Sequence, residues 1–275
     1  MNFETPWGQY AGSGWIRGWL SLTRRVPQGR VASRLGLLAR RMARVGMSGP
    51  VDTTVWGFKL RLALKGGVSE GRILFFPQLW DVHERDALAD VVRQGTTFVD
   101  VGANVGGYTF WAASRVGPEG TVVAVEATPA LVEQLRFNVD QNDLASRIRI
   151  APVAVSDETG ECEFVLHVKN PGENRLASVE GESGNRVTVP MSTLAQVLTE
   201  AEVESVDVMK VDIEGAERRV LEAFFAQAPS GLWPRFLMVE AKGGSMDLIL
   251  WLEDKGYALV RRTRLNGILR RARAS

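Results

Sequence analysis

The chain has 275 residues, 45% of them apolar, a single cysteine (Cys162) and a net charge of +1. That length suits one large core with a small appendage, and one cysteine excludes an intramolecular disulfide or a cysteine-rich zinc site and sets the expectation of a reducing, cytoplasmic setting. The near-neutral total hides an asymmetry: residues 1–50 carry eight arginines and one acid (Glu4), residues 261–275 six arginines and no acid, and the stretch between is net −12. The first fifty residues are thus a basic arm. Trp15, Ile16, Trp19, Leu20 and Leu22, then Val31, Leu35, Leu37, Leu38, Met42 and Val45, with arginines between them, predict two short amphipathic helices broken near Pro27. No apolar run approaches the ~18 residues of a membrane span. Arg17 interrupts the first apolar stretch with no clear cleavage site after it, so a cleavable signal is not expected. Two readings stand for the arm: a surface that docks on anionic lipid or an acidic glycolipid, or a packing arm whose apolar face covers the main domain. Nucleic acid is not expected as a partner, because the body is acidic and carries no recognition motif. Oligomeric state is not legible.

Residues 51–79 read as a β-hairpin appendage: Thr54 to Leu64 alternate, and Trp56-Gly57-Phe58 marks the turn. Trp80 to Arg93 predicts a helix leading into the core. It carries His83, whose intrinsic pKa suits a general base, although a surface helix position would need no such role. An apolar run from Thr97 to Val101 then enters the glycine turn Val99-Asp100-Val101-Gly102-Ala103-Asn104-Val105-Gly106-Gly107-Tyr108-Thr109, and a helix leaves it. Such a turn lets backbone approach a ligand closely, and the helix start offers free N–H groups. A second run, Thr121 to Val125, ends in Glu126, which in an open α/β sheet falls beside the first turn at ribose distance. Strand, turn, helix, strand and acid make a nucleoside-binding half-fold. The dinucleotide fingerprint fails at Asn104, where its middle glycine should stand, which disfavours a dehydrogenase. Asp100 would repel a pyrophosphate but suits the ammonium and sulfonium of S-adenosylmethionine. Glu126 can accept from both ribose hydroxyls, a charge-assisted contact of about 1.5–3 kcal/mol. Tyr108 and Thr109 stand where the methionine carboxylate would lie.

Further strands are predicted near 147–155, 206–212 and 235–240, with a closing antiparallel pair over 256–270. Apolar runs such as Phe236 to Val239 fit strands buried on both faces. Ala154 and Val155, after the third strand, are expected to border the adenine, with Ser156 or Asp157 bonding its amino group. Glu161–Val168 and Arg186–Met191 alternate and predict a hairpin around a polar loop, Lys169 to Glu180. That loop is read either as a specificity element or as a plain surface excursion. His167, on the first of those strands, is a weaker candidate than His83. Lys210, Asp212 and Glu214 alternate at the end of the fourth strand and the turn after it, at the carboxyl edge where α/β sites assemble, and Glu240 ends the fifth.

Val99 to Thr109 resembles the first motif of the FkbM-type methyltransferases, approximately V-D-V-G-A-N-x-G-x-Y-T. The resemblance continues through Glu126, Leu135-x-x-Asn138 with Asn142, and Asp207-Val208-Met209-Lys210-Val211-Asp212-Ile213-Glu214-Gly215-Ala216-Glu217, similar to V-D-x-x-K-x-D-x-E-G-A-E. It covers about residues 80–260. One departure is Glu126-Ala127-Thr128-Pro129 where the family usually has Glu-Pro, which moves the next helix start to a Thr128 cap with Pro129 first. The resemblance implies an α/β, Rossmann-like class I methyltransferase: a seven-stranded mixed sheet with helices on both faces, behind the helical arm (1–50) and hairpin (51–79). The cofactor-binding domain then spans 80–260, and 261–275 is a closing strand and basic tail.

Cofactor contacts are expected from Asp100, Gly102, Asn104, Gly106, Tyr108, Thr109, Glu126, Ala154 and Ser156. The methyltransferase strand order places Asp212 and Glu240 on one pocket. A hydroxyl acceptor needs its proton removed, so Asp212, Glu240 or His83 is the expected base, with Lys210 orienting a carboxylate or the acceptor. A divalent metal at Asp212 and Glu240 is an option rather than an expectation, since no third ligand is evident. Family members modify sugars, glycolipids and other natural products, which makes a small-molecule or glycan hydroxyl the expected acceptor. Two alternatives stay open. One is an N- or protein methyltransferase, whose acceptor groove would be lined by acids or aromatics. The other is a catalytically idle cofactor-binding scaffold at a membrane, suggested by the arm but opposed by the intact Asp100, Glu126, Lys210 and Asp212.

Overall fold

The computed structural model describes residues 1–27, 49–64, 67–166, 175–176, 185–213, 215–241 and 246–272. The helices are α1 (Gly14–Arg24), α2 (Val68–Phe75), α3 (Val82–Leu88), α4 (Gly107–Val116), α5 (Pro129–Asp140), α6 (Leu194–Glu200), α7 (Glu217–Gln227) and α8 (Asp247–Asp254). The strands are β1 (Pro50–Val55), β2 (Phe58–Ala63), β3 (Thr97–Val101), β4 (Thr121–Val125), β5 (Ile148–Ala151), β6 (Ala154–Ser156), β7 (Gly160–Leu166), β8 (Arg175–Leu176), β9 (Asn185–Thr193), β10 (Val208–Val211), β11 (Phe236–Glu240), β12 (Tyr257–Arg262) and β13 (Asn266–Arg271).

Seven strands form the main sheet in the order β12-β13-β11-β10-β3-β4-β5. The five from β11 to β5 run parallel, while β13 is antiparallel to both β11 and β12. Val99, Val101, Val123, Val125 and Met209 bury themselves on one face, and Phe98, Val122, Ala124, Val208 and Met238 on the other. This two-sided burial is why the parallel strands read as continuous apolar runs. From β3 the chain winds outward through β4 and β5, then returns to lay β10 on the other side of β3. The carboxyl ends of β3 and β10 therefore bound a topological switch point, the crevice where α/β sheets bind ligands.

One predicted strand is split. The run over 147–155 breaks at Pro152, which has no N–H to give a ladder. β5 stays in the main sheet, whereas β6 leaves it and pairs in parallel with the end of β9 (Ala154 with Met191). β9 in turn pairs antiparallel with β7, the expected hairpin, giving a small second sheet, β6-β9-β7-β8. Thr128 takes the N-cap position of α5 with Pro129 first, as the shifted Glu-Pro pattern implied.

The segment before the sheet is more than a hairpin. Trp56 (φ 49°) and Gly57 (φ 89°) make the two-residue turn between β1 and β2, and a further helix, α2, follows. The outer edge of β2 is closed by side chains from α5. Asn142 accepts from the Lys59 N–H and donates to its carbonyl, both at 2.8 Å, Asn138 accepts from the Arg61 N–H (2.7 Å), and Gln134 donates to the Arg61 carbonyl (3.0 Å). The two asparagines of the family pattern thus dock the hairpin rather than a ligand, satisfying backbone groups that an open strand edge would leave bare.

Arg61, fully buried, donates to both Asp52 oxygens (2.7 and 3.0 Å) and to the carbonyls of Asn2, Thr5 and Pro6 (2.8–3.0 Å), between the rings of Tyr10 and Phe137. The first α1 face, Ile16 and Leu20, joins the same core as Ile73 and Leu74 of α2, and Arg24 donates to Thr53, Thr54 and Leu74. The Ile16–Leu20 face of this first helix therefore packs on the main domain. The second arm helix, the 169–174 and 177–180 parts of the polar loop, and His167 lie outside the described residues.

Candidate active site

β3 delivers Asp100 one residue before its end, and the glycine turn carries the chain from there into α4. Gly102 adopts φ +76°, and a Cβ on it would overlap the carbonyl oxygen of Asp212, so only glycine lets the ends of β3 and β10 approach. A Cβ on Gly107 would fall 2.6 Å from the ring of Trp80, which packs over the start of α4. The turn is tied to β4 by N–H donations from Gly102 and Ala103 to the Val125 carbonyl (3.0 and 2.9 Å). Glu126 braces it further, accepting from the Asn104 N–H and the Thr128 N–H, each at 2.8 Å. Burial raises the pKa of Glu126 against the help of those donors.

Below the turn lies a chain of charges. Asp100 is 1% exposed; one of its oxygens accepts from the Thr109 hydroxyl (2.7 Å), and the other, Oδ1, has no hydrogen-bond partner. Lys210 sits between acids, its Nζ 3.2 Å from Asp212 and 3.6 Å from Asp100 Oδ1, with a long contact to the Gly102 carbonyl (3.4 Å). Burial pulls the ammonium down, but Asp212 and Asp100 outweigh it and hold its pKa above the usual value. For Asp100 the balance goes the other way. Burial wins over Lys210 and Thr109 and raises its pKa. The Lys210 cation also stands 5.4 Å from the ring of Tyr108, which burial and the surrounding carboxylates keep protonated.

These groups open on a cavity of about 520 Å³ at the switch point. Its floor is Asp100, Gly102, Asn104, Tyr108, Lys210, Asp212 and Glu240. The wall is made by parts the sequence did not assign: the first turns of α2, with Glu70 and Arg72; Trp80 and Asp81; and Arg264, Leu265 and Asn266 from the turn joining β12 to β13. Asp81 is in the left-handed region (φ 41°), pairs with Arg72 (3.0 Å) and lies 3.4 Å from the Tyr108 hydroxyl. Arg85 fixes the preceding turn through the carbonyls of Pro77, Gln78 and Trp80.

Of the residues singled out from sequence, Asp100, Gly102, Asn104, Tyr108, Lys210, Asp212 and Glu240 meet in this cavity. Gly106 begins α4 behind it, and Thr109 stands under Asp100. Glu126 borders the turn from the β4 side. Ala154 packs with Ala127 and Val189 in the second sheet, and Ser156 bonds Asp157 (2.8 Å); neither lines the cavity. His83 is exposed on α3 and points to no part of the lining, whereas Asp81, two residues earlier, does reach it. Glu214 lies outside the described residues.

A third carboxylate also comes close. Glu217, the first residue of α7, accepts from the N–H groups of Ile213 and Gly215 and brings an oxygen within 4.8 Å of Asp212 and Glu240. Such a trio has the donor chemistry for a hard divalent cation. The spacing Asp212-x4-Glu217 carries the signal, but the contribution of Glu240 follows only from the β10–β11 pairing.

Residues 100–259 match the model of the Methyltransferase FkbM domain. The 31-O-demethyl-FK506 methyltransferase FkbM of Streptomyces tacrolimicus is 25% identical over 202 residues, covering 62% of this chain and 75% of that one. Methyltransferase sdnD of Sordaria araneosa is 25% identical over 204 residues, covering 59% and 74%. Methyltransferase 1 of Beauveria bassiana is 22% identical over 162 residues, covering 59% and 60%.

Proposed function

The chain belongs to the FkbM methyltransferase family and is an S-adenosylmethionine-dependent methyltransferase; from that premise we propose that its acceptor is a hydroxyl oxygen of a sugar, glycolipid or other natural product. The observation that carries this reading is the meeting of Asp100, Lys210, Asp212 and Glu240 in one cavity at the switch point. The residues suit the cofactor. Asp100 Oδ1 is a buried acceptor with no donor of its own, and Gly102, Gly106 and Gly107 keep the turn bare of side chains. Asp100 would take the ammonium, the backbone around Asn104 and Tyr108 the methionine end, and Glu126 the ribose side. When bound, the cofactor supplies an electrophilic methyl group on a sulfonium.

The chain's own work is positional and electrostatic. Holding the acceptor in register is worth on the order of 7–11 kcal/mol in favourable systems. Lys210 stands between Asp100 and Asp212 and offsets their mutual repulsion, and Asp212 or Glu240 would take the acceptor's proton as the methyl passes from the sulfonium sulfur to the acceptor oxygen, its C–S bond breaking as the O–C bond forms. The oxygen assignment is supported by the name of the Streptomyces relative, a 31-O-demethyl-FK506 methyltransferase.

One observation favours a second reading. The lining holds five carboxylates (Glu70, Asp81, Asp100, Asp212, Glu240) against three cations, with Trp80 and Tyr108 beside them. An acidic, aromatic wall suits an amine acceptor. Titration calorimetry with S-adenosylhomocysteine, followed by transfer from methyl-labelled cofactor to polyol and amine panels, separates the two. Label on polyols supports the oxygen reading, and label on amines alone replaces it. A folded sample that ignores S-adenosylhomocysteine but binds NAD overturns both.

A further inference from the structure

The doublets Trp15-Ile16 and Trp19-Leu20 give α1 two adjacent apolar faces, because residues three and four apart stack on one side of a helix. The core uses one of them: Ile16, Leu20 and Thr23 are 8%, 7% and 2% exposed. The other carries Trp15 and Leu22, with Trp19 at its border, half-buried and also packed against the core. Trp15 stands edge-on to Trp19 with ring centroids 5.7 Å apart, and Trp15 and Leu22 remain 62% and 60% exposed. Arg25 stands in solvent beside this face, and Arg17 is exposed on the opposite side of the helix. α1 packs along α2, whose first turn supplies Val68 to the cavity wall, and Val68 is 49% exposed. The turn after β12 contributes Leu265, 38% exposed, beside the exposed Arg264. Of the seven large apolar side chains that stand exposed among the described residues, four are therefore on α1 or the cavity's lip.

We propose that the Trp15–Trp19–Leu22 face of α1 docks on an anionic membrane surface. Charge decides for lipid. Arg25 borders this face, the first fifty residues hold eight arginines against one acid, and exposed tryptophan with basic neighbours is the composition that settles at headgroup depth. No described helix is long and apolar enough to cross a membrane, so the contact is peripheral. Resting on the methyl-transfer reading, the same contact makes the acceptor a molecule held at the bilayer.

The full chain is floated with vesicles of phosphatidylcholine alone and of phosphatidylcholine with phosphatidylserine, without cofactor. The expected result is recovery on the anionic vesicles only, falling in ~0.5 M salt. Arg17→Glu with Arg25→Glu should lower the partition by about five-fold or more per charge. Trp15→Ser with Leu22→Ser should abolish flotation while melting like wild type. No flotation, equal recovery on neutral vesicles, or a Trp15/Leu22 variant that floats like wild type overturns the proposal. S-adenosylhomocysteine titration of the same samples reports on the methyltransferase reading independently, and a failure there leaves the vesicle result in force.

Discussion

Arg61, under the N-terminal residues, spends its five guanidinium N–H groups on five acceptors and is gripped between two rings. Lys210, almost as deeply buried, has one long hydrogen bond to a carbonyl and two carboxylates at 3.2 and 3.6 Å. A buried charge with every partner in place specifies structure, because any loss leaves a desolvated orphan. A buried charge with slack around it, next to an acid oxygen that lacks a donor, is a place kept for something that arrives later.

The contrast breaks first on stability. Arg61→Met leaves Asp52 with only the Gly8 and Tyr10 N–H groups, strips three carbonyls of their guanidinium donors and should cost about 3–5 kcal/mol in urea unfolding. If Lys210→Met cost as much, the distinction would fail. The expected outcome for Lys210→Met is instead a smaller loss of stability with methyl transfer reduced by about 10²-fold or more, because Asp100 and Asp212 lose the cation between them. Asp100→Asn should keep the fold and weaken S-adenosylhomocysteine by about 1.5–3 kcal/mol, read by calorimetry.

A pH series sharpens the same point. Burial holds the Asp100 pKa above the ordinary carboxylate range. Affinity that needs its anion is therefore complete above that raised pKa and is lost as pH falls through it, at a higher pH than an exposed aspartate would give. In Asp100→Asn that dependence should vanish. The smallest effect belongs to the hairpin edge: Asn142→Ala, at a partly exposed site, should cost about 1 kcal/mol of stability and leave cofactor affinity unchanged.

The sequence made the glycine-turn side of the cavity legible because its signals are local. A strand, a turn that only glycine can make and a second strand ending in an acid lie within thirty residues, and each has a period or a steric requirement of its own. The opposite wall was not legible. Arg72 and Asp81, Arg264 and Leu265 reach the cavity from three separate elements, and no spacing between them is fixed by anything but the finished fold. His83 drew attention by its chemistry, yet one helical turn carries it outward while Asp81, held in the left-handed region, points in. The strand over 147–155 reads as one because its run is apolar, and the proline inside it, Pro152, is what splits it between two sheets. Asn138 and Asn142 were recognised as part of a pattern without their task, since a helix side chain closing a strand edge 77 or 83 residues away leaves no local trace.

The grip on Arg61 has a consequence for how the molecule is made. The carbonyls of Asn2, Thr5 and Pro6 are made before the guanidinium they close on, which follows dozens of residues later, and the backbone of that same arginine is secured only when α5 has followed. Residues 2–6 must therefore wait, uncommitted, until α5 has been made, and their docking serves as a late clasp on a domain that has already begun to assemble.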